Sequence, residues 1–368
     1  MSLEIIDEII LSLAEKIGNN KVGKPYFKTP PYQIFQITKN DFKSINKVDS
    51  KRKIAFIDGG NREILGAPDF SIQINRIYFN TFQNNEKMID TSYPVKVEFF
   101  SVTYAKAQNE DIFYHTRLYP LTQNPKIKLP DENDLNFNSA DRTMSFGGQI
   151  ADISRVATMS RVLTEWNCAK FVAEKILELN DIIVMDGNLR TWYTNENKYA
   201  NNLFEVAKAK SIIITGLSKT SRLMTTNSQS LLGSIERYAR SNLSHQEWYI
   251  PIAQISRDDH NAIIFIVKLN RNSNHAFRFE IMHDQYVKLK ENEINEIFSQ
   301  ISKNSRDLTF PGYPYGLIDA DHYARISEEE AKGYKVMFLS QIAKNSKADS
   351  FASIHAIDAH DILNELVA

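Results

Sequence analysis

The sequence predicts an α/β fold built on a mixed sheet with flanking helices, on three observations. Residues 53–118 alternate with a period of two. Residues 148–179 switch to helical spacing, and short apolar runs then alternate with helical segments. At 368 residues and 42% hydrophobic, the chain is long and apolar enough to bury a large core.

The opening MSLEIIDEIILSLAEKIG sets acids within an apolar stretch, which predicts an amphipathic helix and no secretory signal. Gly23, Pro25, Pro30 and Pro31 mark a loop after it. Residues 16–53 hold ten Lys or Arg and only two acids, Asp41 and Asp49, so this arm is either a solvated surface or a phosphate-facing one. KIAFID (53–58) reads as a buried strand feeding a turn at two glycines. SIQINRIYFNTF (71–82), VKVEFFSVTY (95–104) and DIFYHTRL (111–118) continue it as an antiparallel meander. Met159, Val162, Trp166, Ala169, Ala173 and Ile176 form the apolar seam of a long helix. DIIVMDG (181–187) is a second buried strand ending in an acid and a glycine. A helix over 196–209, a strand over 211–215 and a helix over 228–240 follow, then strands at 247–254, 261–269 and 275–282. The rest is helical at 289–303, 320–344 and 350–366, interrupted by FPGYPYG (310–316). A meander followed by helix, strand, helix, strand and helix is the order of a ribonuclease H-like core, here elaborated by extra strands and C-terminal helices. Contiguous pairing predicts one elaborated domain over 51–345. An N-terminal helix and basic arm (1–50) precede it, and a C-terminal helix packing on the same domain (346–368) follows.

Composition excludes several functions. Lys plus Arg is 44 and Asp plus Glu is 45, so a global basic coat is out, although a local basic groove is not. Cys168 is the single cysteine, which rules out an intrachain disulfide and a cysteine-built zinc site and suits a reducing cytoplasm. Apolar runs such as 262–267 are too short to span a bilayer. There is no phosphate-binding Gly-rich loop for nucleotide hydrolysis and no base-reading module.

The acids carry the chemistry. Asp58 and Asp186 each end an apolar run and precede glycine. A single Asp-Gly is most simply a turn, but two of them after buried strands point to one crevice at the carboxyl ends of neighbouring strands. Paired carboxylates repel, and a hard divalent cation such as magnesium or manganese relieves that. Glu165 sits beside seam residue Trp166; alone it reads as an i,i+4 partner of Arg161, and Glu174 and Glu178 compete with it for a place near the sheet. Asp321, with Asp319 and His322 beside it, is equally a helix cap or a ligand. Four such acids would suit a two-metal cluster acting at phosphorus.

Six segments in order resemble the NurA nuclease family over about residues 50–330: IDGGNREI (57–64), RVLTEWNCA (161–169), VMDGNLRT (184–191), GLSKTSRL (216–223), HAFRFEI (275–281) and GYPYGLIDAD (312–321). The resemblance implies a ribonuclease H-like, manganese-dependent (or magnesium-dependent) nuclease, with two ions, that degrades DNA from the 5′ end and nicks single strands. It also implies a homodimer around a DNA channel and a HerA-type hexameric ATPase as partner, serving end resection or anti-phage defence. Asp58, Glu165 and Asp186 then correspond to metal ligands, and Tyr313 or Tyr315 to a tyrosine near the site. Many members carry histidine directly after the alanine of the last motif. Here Asp321 follows Ala320 and His322 comes one later, so either is the fourth ligand. Carboxylate oxygen favours Asp321 for these ions, with His322 suited to proton transfer.

Arg62, Lys219 and Arg222 are candidate phosphate contacts, with plain solvent exposure as the alternative. Arg278 either joins them or pairs with Glu280. Tyr313-Pro314-Tyr315 is a stacking platform for unpaired bases or a rigid loop packed on the core. Against the nuclease stand a non-catalytic adaptor that guides DNA into an ATPase ring, and an RNA-directed relative of the same fold.

Overall fold

A parallel pair of strands organises the part of the chain that carries the acids. The computed structural model describes residues 3–344 except 18–21, 29–31, 110, 124, 146, 148 and 245. The helix expected at 350–366, and with it the 346–368 segment, lies outside the described residues. The chain divides into two compact units, Ser50–Asp186 with Arg190–Ile214 and Tyr315–Ala368, and Met1–Asp49 with Gly187–Leu189 and Thr215–Pro314.

The first unit contains strands β1 (Lys53–Ala67), β2 (Phe70–Gln83), β3 (Lys96–Gln108) and β4 (Asp111–Pro120), then helices α1 (Ile153–Ala157) and α2 (Met159–Lys175). Strand β5 (Ile182–Asp186) and helices α3 (Glu196–Lys210), α4 (Tyr315–Ala324) and α5 (Glu328–Lys344) complete it. The strand order is β5-β1-β2-β3-β4. β5 and β1 are parallel and the other pairs antiparallel, so the sheet is mixed, as expected. Ile54, Ala55, Phe56 and Ile57 are all buried, as are Ile182 to Met185. Such unbroken apolar runs mark strands covered on both faces.

Successive side chains on a strand point to opposite faces, and this sorts the helices. Phe56, Asp58 and Gly60 lie opposite Asn80, Tyr78 and Arg76 of β2. That face meets α4 and α5: Asn80 donates to the Gly316 carbonyl (2.8 Å), and Arg76 bonds the Arg325 carbonyl (2.9 Å), Glu98 (2.6 Å) and Glu330 (2.5 Å). The other face meets α2, where Phe171 packs on Phe79 at 6.5 Å between ring centroids.

Three expectations are corrected here. KIAFID does not feed a turn; β1 runs through Gly59 and Gly60 to Ala67, so Asp58 sits mid-strand. Neither glycine has positive φ, and both are instead used for close approach by helices. The helix expected at 320–344 breaks between Ala324 and Glu328, where Arg76 captures the Arg325 carbonyl. The loop expected at 310–316 is shorter, because α4 already starts at Tyr315.

The second unit holds an antiparallel sheet with Gln33–Ile34, Trp248–Arg257, His260–Lys268, Phe277–Met282 and the end of Ile213–Ser218 in that order. Helix Leu231–Asn242 buries Leu231, Ile235 and Ala239 against Trp248, Ile250 and Ile252. Helix Glu291–Asn304 stacks Phe298 on Tyr249 at 4.2 Å. Helix Leu3–Ile17 is amphipathic and buries no residue. Among the described residues no helix is long and apolar enough to cross a membrane. His260 opens its strand, is 1% exposed and sits 3.0 Å from Glu280, and Asp258 and Asp259 form the turn before it.

Glu280 is fully buried. Burial alone raises its carboxyl, but the Arg278 guanidinium, the His260 ring and the Leu189 N–H (3.0 Å) outweigh burial and hold it at about 2. A carboxyl depressed below its unfolded value of 4.5 adds stability above pH 4.5 that is lost as pH falls through about 2. Glu280→Gln is therefore expected to cost roughly 3 kcal/mol near pH 7. Urea unfolding across pH is expected to show that difference closing in acid; a gap that stays constant down to pH 2 would contradict the charge as its source. A second pair of substitutions tests the packing of β1. A Cβ at Gly60 runs into the Ala324 backbone carbonyl, whereas one at Gly59 meets only the end of the Glu165 side chain. Gly60→Ala is expected to cost about 1–3 kcal/mol, more than Gly59→Ala, when thermal melts are compared.

Candidate metal centre

The parallel register pairs Met185 with Ile57, and one step further on each strand come Asp186 and Asp58. The two carboxylates thus leave neighbouring strands on one face. β5 stops at Asp186, where Gly187 takes φ +115°, a conformation that suits glycine. β1 runs on, and a cleft of about 590 Å³ opens along it. Asp58 is 9% exposed, and its Oδ1 accepts the Gly59 N–H at 2.7 Å.

Helix α4 brings the third acid. Gly316 packs directly on the Phe56 ring, and the Ala324 carbonyl closes on Gly60. Asp319, 7% exposed, accepts from Asn80 Nδ2 and Lys87 Nζ, each at 2.7 Å, which pins the helix to β2 and its neighbouring short strand. Asp321, two residues on, is exposed and points elsewhere. One carboxylate oxygen each of Asp58, Asp186 and Asp321 lie within 4.8 Å of one another. Three carboxylates so close repel one another, a divalent cation relieves that repulsion, and an all-oxygen set suits magnesium or manganese. The donor set therefore fits a hard divalent ion.

Glu165 lines the same cleft from the opposite face of β1. Its carboxylate lies where a side chain on Gly59 would be, and it accepts a hydrogen bond from Arg161. Burial is the largest influence on it and pushes it up to about 7, against the pull of the Arg161 guanidinium. Its neighbour Trp166 is anchored by donating to Glu196 (3.1 Å), which also accepts the Trp192 N–H (2.7 Å). Glu174 faces Lys170 at 3.6 Å and Glu178 faces Lys53 at 3.4 Å, and neither lines the cleft.

The remaining candidates scatter. Arg62 lines the cleft. His322 is exposed in the last turn of α4, edge-on to Tyr323 at 5.2 Å, and is outside the three-carboxylate group. Tyr315 is 40% exposed and stands edge-on to Phe82. Tyr313 presents no face to a base: it is 1% exposed, stacked on Phe310 at 5.3 Å and packed on Phe277. Its ring belongs to the core of the second unit, so the packing alternative holds for it. Lys219 and Arg222, also of that unit, are exposed in the loop after Ile213–Ser218, with the Lys219 Nζ 6.0 Å from the Tyr313 ring centre. Arg278 is paired with Glu280. Cys168 is fully buried, and burial pushes its thiol up, so it is inert.

Spacing alone did not reveal four contributors. Arg161 read only as a surface partner of Glu165. Arg325 lines the cleft from the break between α4 and α5, which spacing read as continuous helix. Asn80 and Lys87 hold α4 through Asp319. Asn80 did leave a signal, a polar residue amid the apolar run of β2.

A family model of the NurA domain matches residues 52–326. No curated protein matches this chain. Among solved structures, the chain is similar to Ciona intestinalis endonuclease V bound to a 24mer DNA containing an inosine followed by a ribo-adenosine. That match has TM-score 0.34 and 9% identity, covering 74% of this chain and 84% of that one. Aquifex aeolicus Argonaute matches at TM-score 0.28 and 10% identity, covering 76% of this chain and 28% of that one. Similarity so low bears on nothing in the site. The family match is different in kind: it spans most of the chain and takes in Asp58, Glu165, Asp186 and Asp321, and the chain belongs to the NurA nuclease family.

Proposed function

We propose that this protein is a divalent-metal-dependent DNA nuclease that hydrolyses phosphodiesters at the Asp58, Asp186 and Asp321 cluster. The observation that carries the reading is the approach of those three carboxylates to within 4.8 Å in a cleft that arginines also line. Manganese or magnesium bound there supplies Lewis-acid charge and lowers the pKa of the attacking water. Asp58, Asp186 and Asp321 hold the ion, and the Gly59 N–H fixes the orientation of the Asp58 carboxylate. Arg62 and Arg325 draw the phosphodiester into the cleft through its charge, which reads backbone and no base sequence. Water adds to phosphorus and the bond to the 3′-oxygen breaks, leaving a 5′-phosphate and a 3′-hydroxyl. His322, exposed one residue beyond Asp321, is the side chain assigned to move the proton.

Family membership supports the finer reading. The protein degrades DNA from the 5′ end and nicks single strands. It works as a homodimer with a HerA-type hexameric ATPase that drives DNA toward it, in end resection or anti-phage defence. Lys219, Arg222 and Tyr315, all exposed, are further DNA contacts.

Purified protein is expected to cleave labelled DNA with manganese and to stop when the metal is chelated. Asp58→Asn and Asp186→Asn are each expected to lower cleavage by at least about a hundredfold while folding and oligomeric state persist. In the absence of metal, Asp186→Asn is expected to raise Tm, because removing one carboxylate relieves repulsion in the cluster. Normal turnover by either variant ends the assignment.

A further inference from the structure

We propose that Arg161 stands in for a second metal ion, so that the site holds one divalent cation beside one built-in guanidinium. The inference rests on the nuclease reading above and specifies its cation content.

Three observations lead to it. First, only Asp58, Asp186 and Asp321 converge among the described residues; Glu165 approaches from the other face of β1 and is absent from that group. Second, the Glu165 carboxylate is already engaged. Arg161, one helical turn before it on α2, bonds its Oε1 and also reaches the Gly59 carbonyl at 3.4 Å. The two side chains are 23% and 16% exposed, so this is no solvated surface pair. The guanidinium lies near enough to Asp58 to feel its charge. It thus holds the acid of α2 and the β1 backbone next to Asp58, which leaves the Glu165 carboxylate committed to a cation of the chain's own. Third, three guanidiniums (Arg62, Arg161, Arg325) line the cleft beside its four carboxylates, so positive charge is already built into it alongside a single ion.

An arginine suits this position. It stays charged at any working pH and offers several donors in one plane, so one edge can hold Glu165 while another faces a phosphate oxygen. Removing it leaves the Glu165 carboxylate without its guanidinium partner and open to a cation from solution.

Manganese titration of the full chain, followed by electron paramagnetic resonance and calorimetry with and without a non-cleavable DNA strand, tests this. Wild type is expected to bind one ion per chain in both states, Arg161→Met two, and Arg161→Lys one. Two ions on wild type, or one on Arg161→Met, overturns the inference while leaving a metal-dependent nuclease intact. No ion on wild type overturns the nuclease reading and this inference with it. Should Arg161→Met fail to fold, the wild-type count and Glu165→Gln decide. That variant is expected to bind the single ion within about threefold of wild type, because Glu165 is not its ligand. A loss of about tenfold or more overturns the proposal.

Discussion

The glycine pair at positions 59 and 60 is the constraint on which the acidic cleft depends. β1 must stay extended there, yet a helix presses on it from each side. Glu165 of α2 occupies the space on one face, and the carbonyl of Ala324 in α4 occupies it on the other. A side chain at Gly60 runs into the α4 backbone, and one at Gly59 displaces the Glu165 carboxylate. Gly316 repeats the device within α4, where it lies flat on Phe56. Close backbone approach is the reason for glycine at all three positions, and none of them requires positive φ. The short distances among the carboxylates follow from it.

Two buried glutamates show how the same desolvation reaches opposite outcomes. Glu280 receives an arginine, a histidine and a backbone N–H, and is held at about 2. Glu165 receives chiefly Arg161 and stays near 7, with Asp186 and Glu196 adding like charge. The first is a fully satisfied structural ion. The second is left under-compensated beside a cleft, a cost of the kind that functional sites carry.

Much of the fold was legible because its strands announce themselves. Continuous apolar runs end at Asp58 and Asp186, and long alternation marks β2 and β3. The seam of α2 has unbroken helical spacing, and the acids of the site fall next to those signals. What misled was local punctuation. Two glycines after an aspartate look like a turn, and only the packed helices explain why the strand continues. An apolar-periodic stretch across Arg325 looks like one helix until Arg76 claims its carbonyl. A Tyr-Pro-Tyr loop shows aromatic rings but not which one is inside, and Tyr313 turned out to be core. His260 sits beside two aspartates that form a turn, yet its ring is buried against Glu280.

Taken alone, the amino-acid order determined the mixed α/β class, the strands on which Asp58 and Asp186 ride, and the absence of cysteine chemistry. Those properties reside in periodicity and residue type, which neighbours along the chain already display. Tertiary structure alone decided that Asp321 joins those two aspartates, that Glu165 comes from the far face in the grip of Arg161, and that Asn80 and Lys87 anchor α4 through Asp319. These depend on contacts between residues more than a hundred positions apart, or on which face of a strand a helix covers, and no local pattern encodes either.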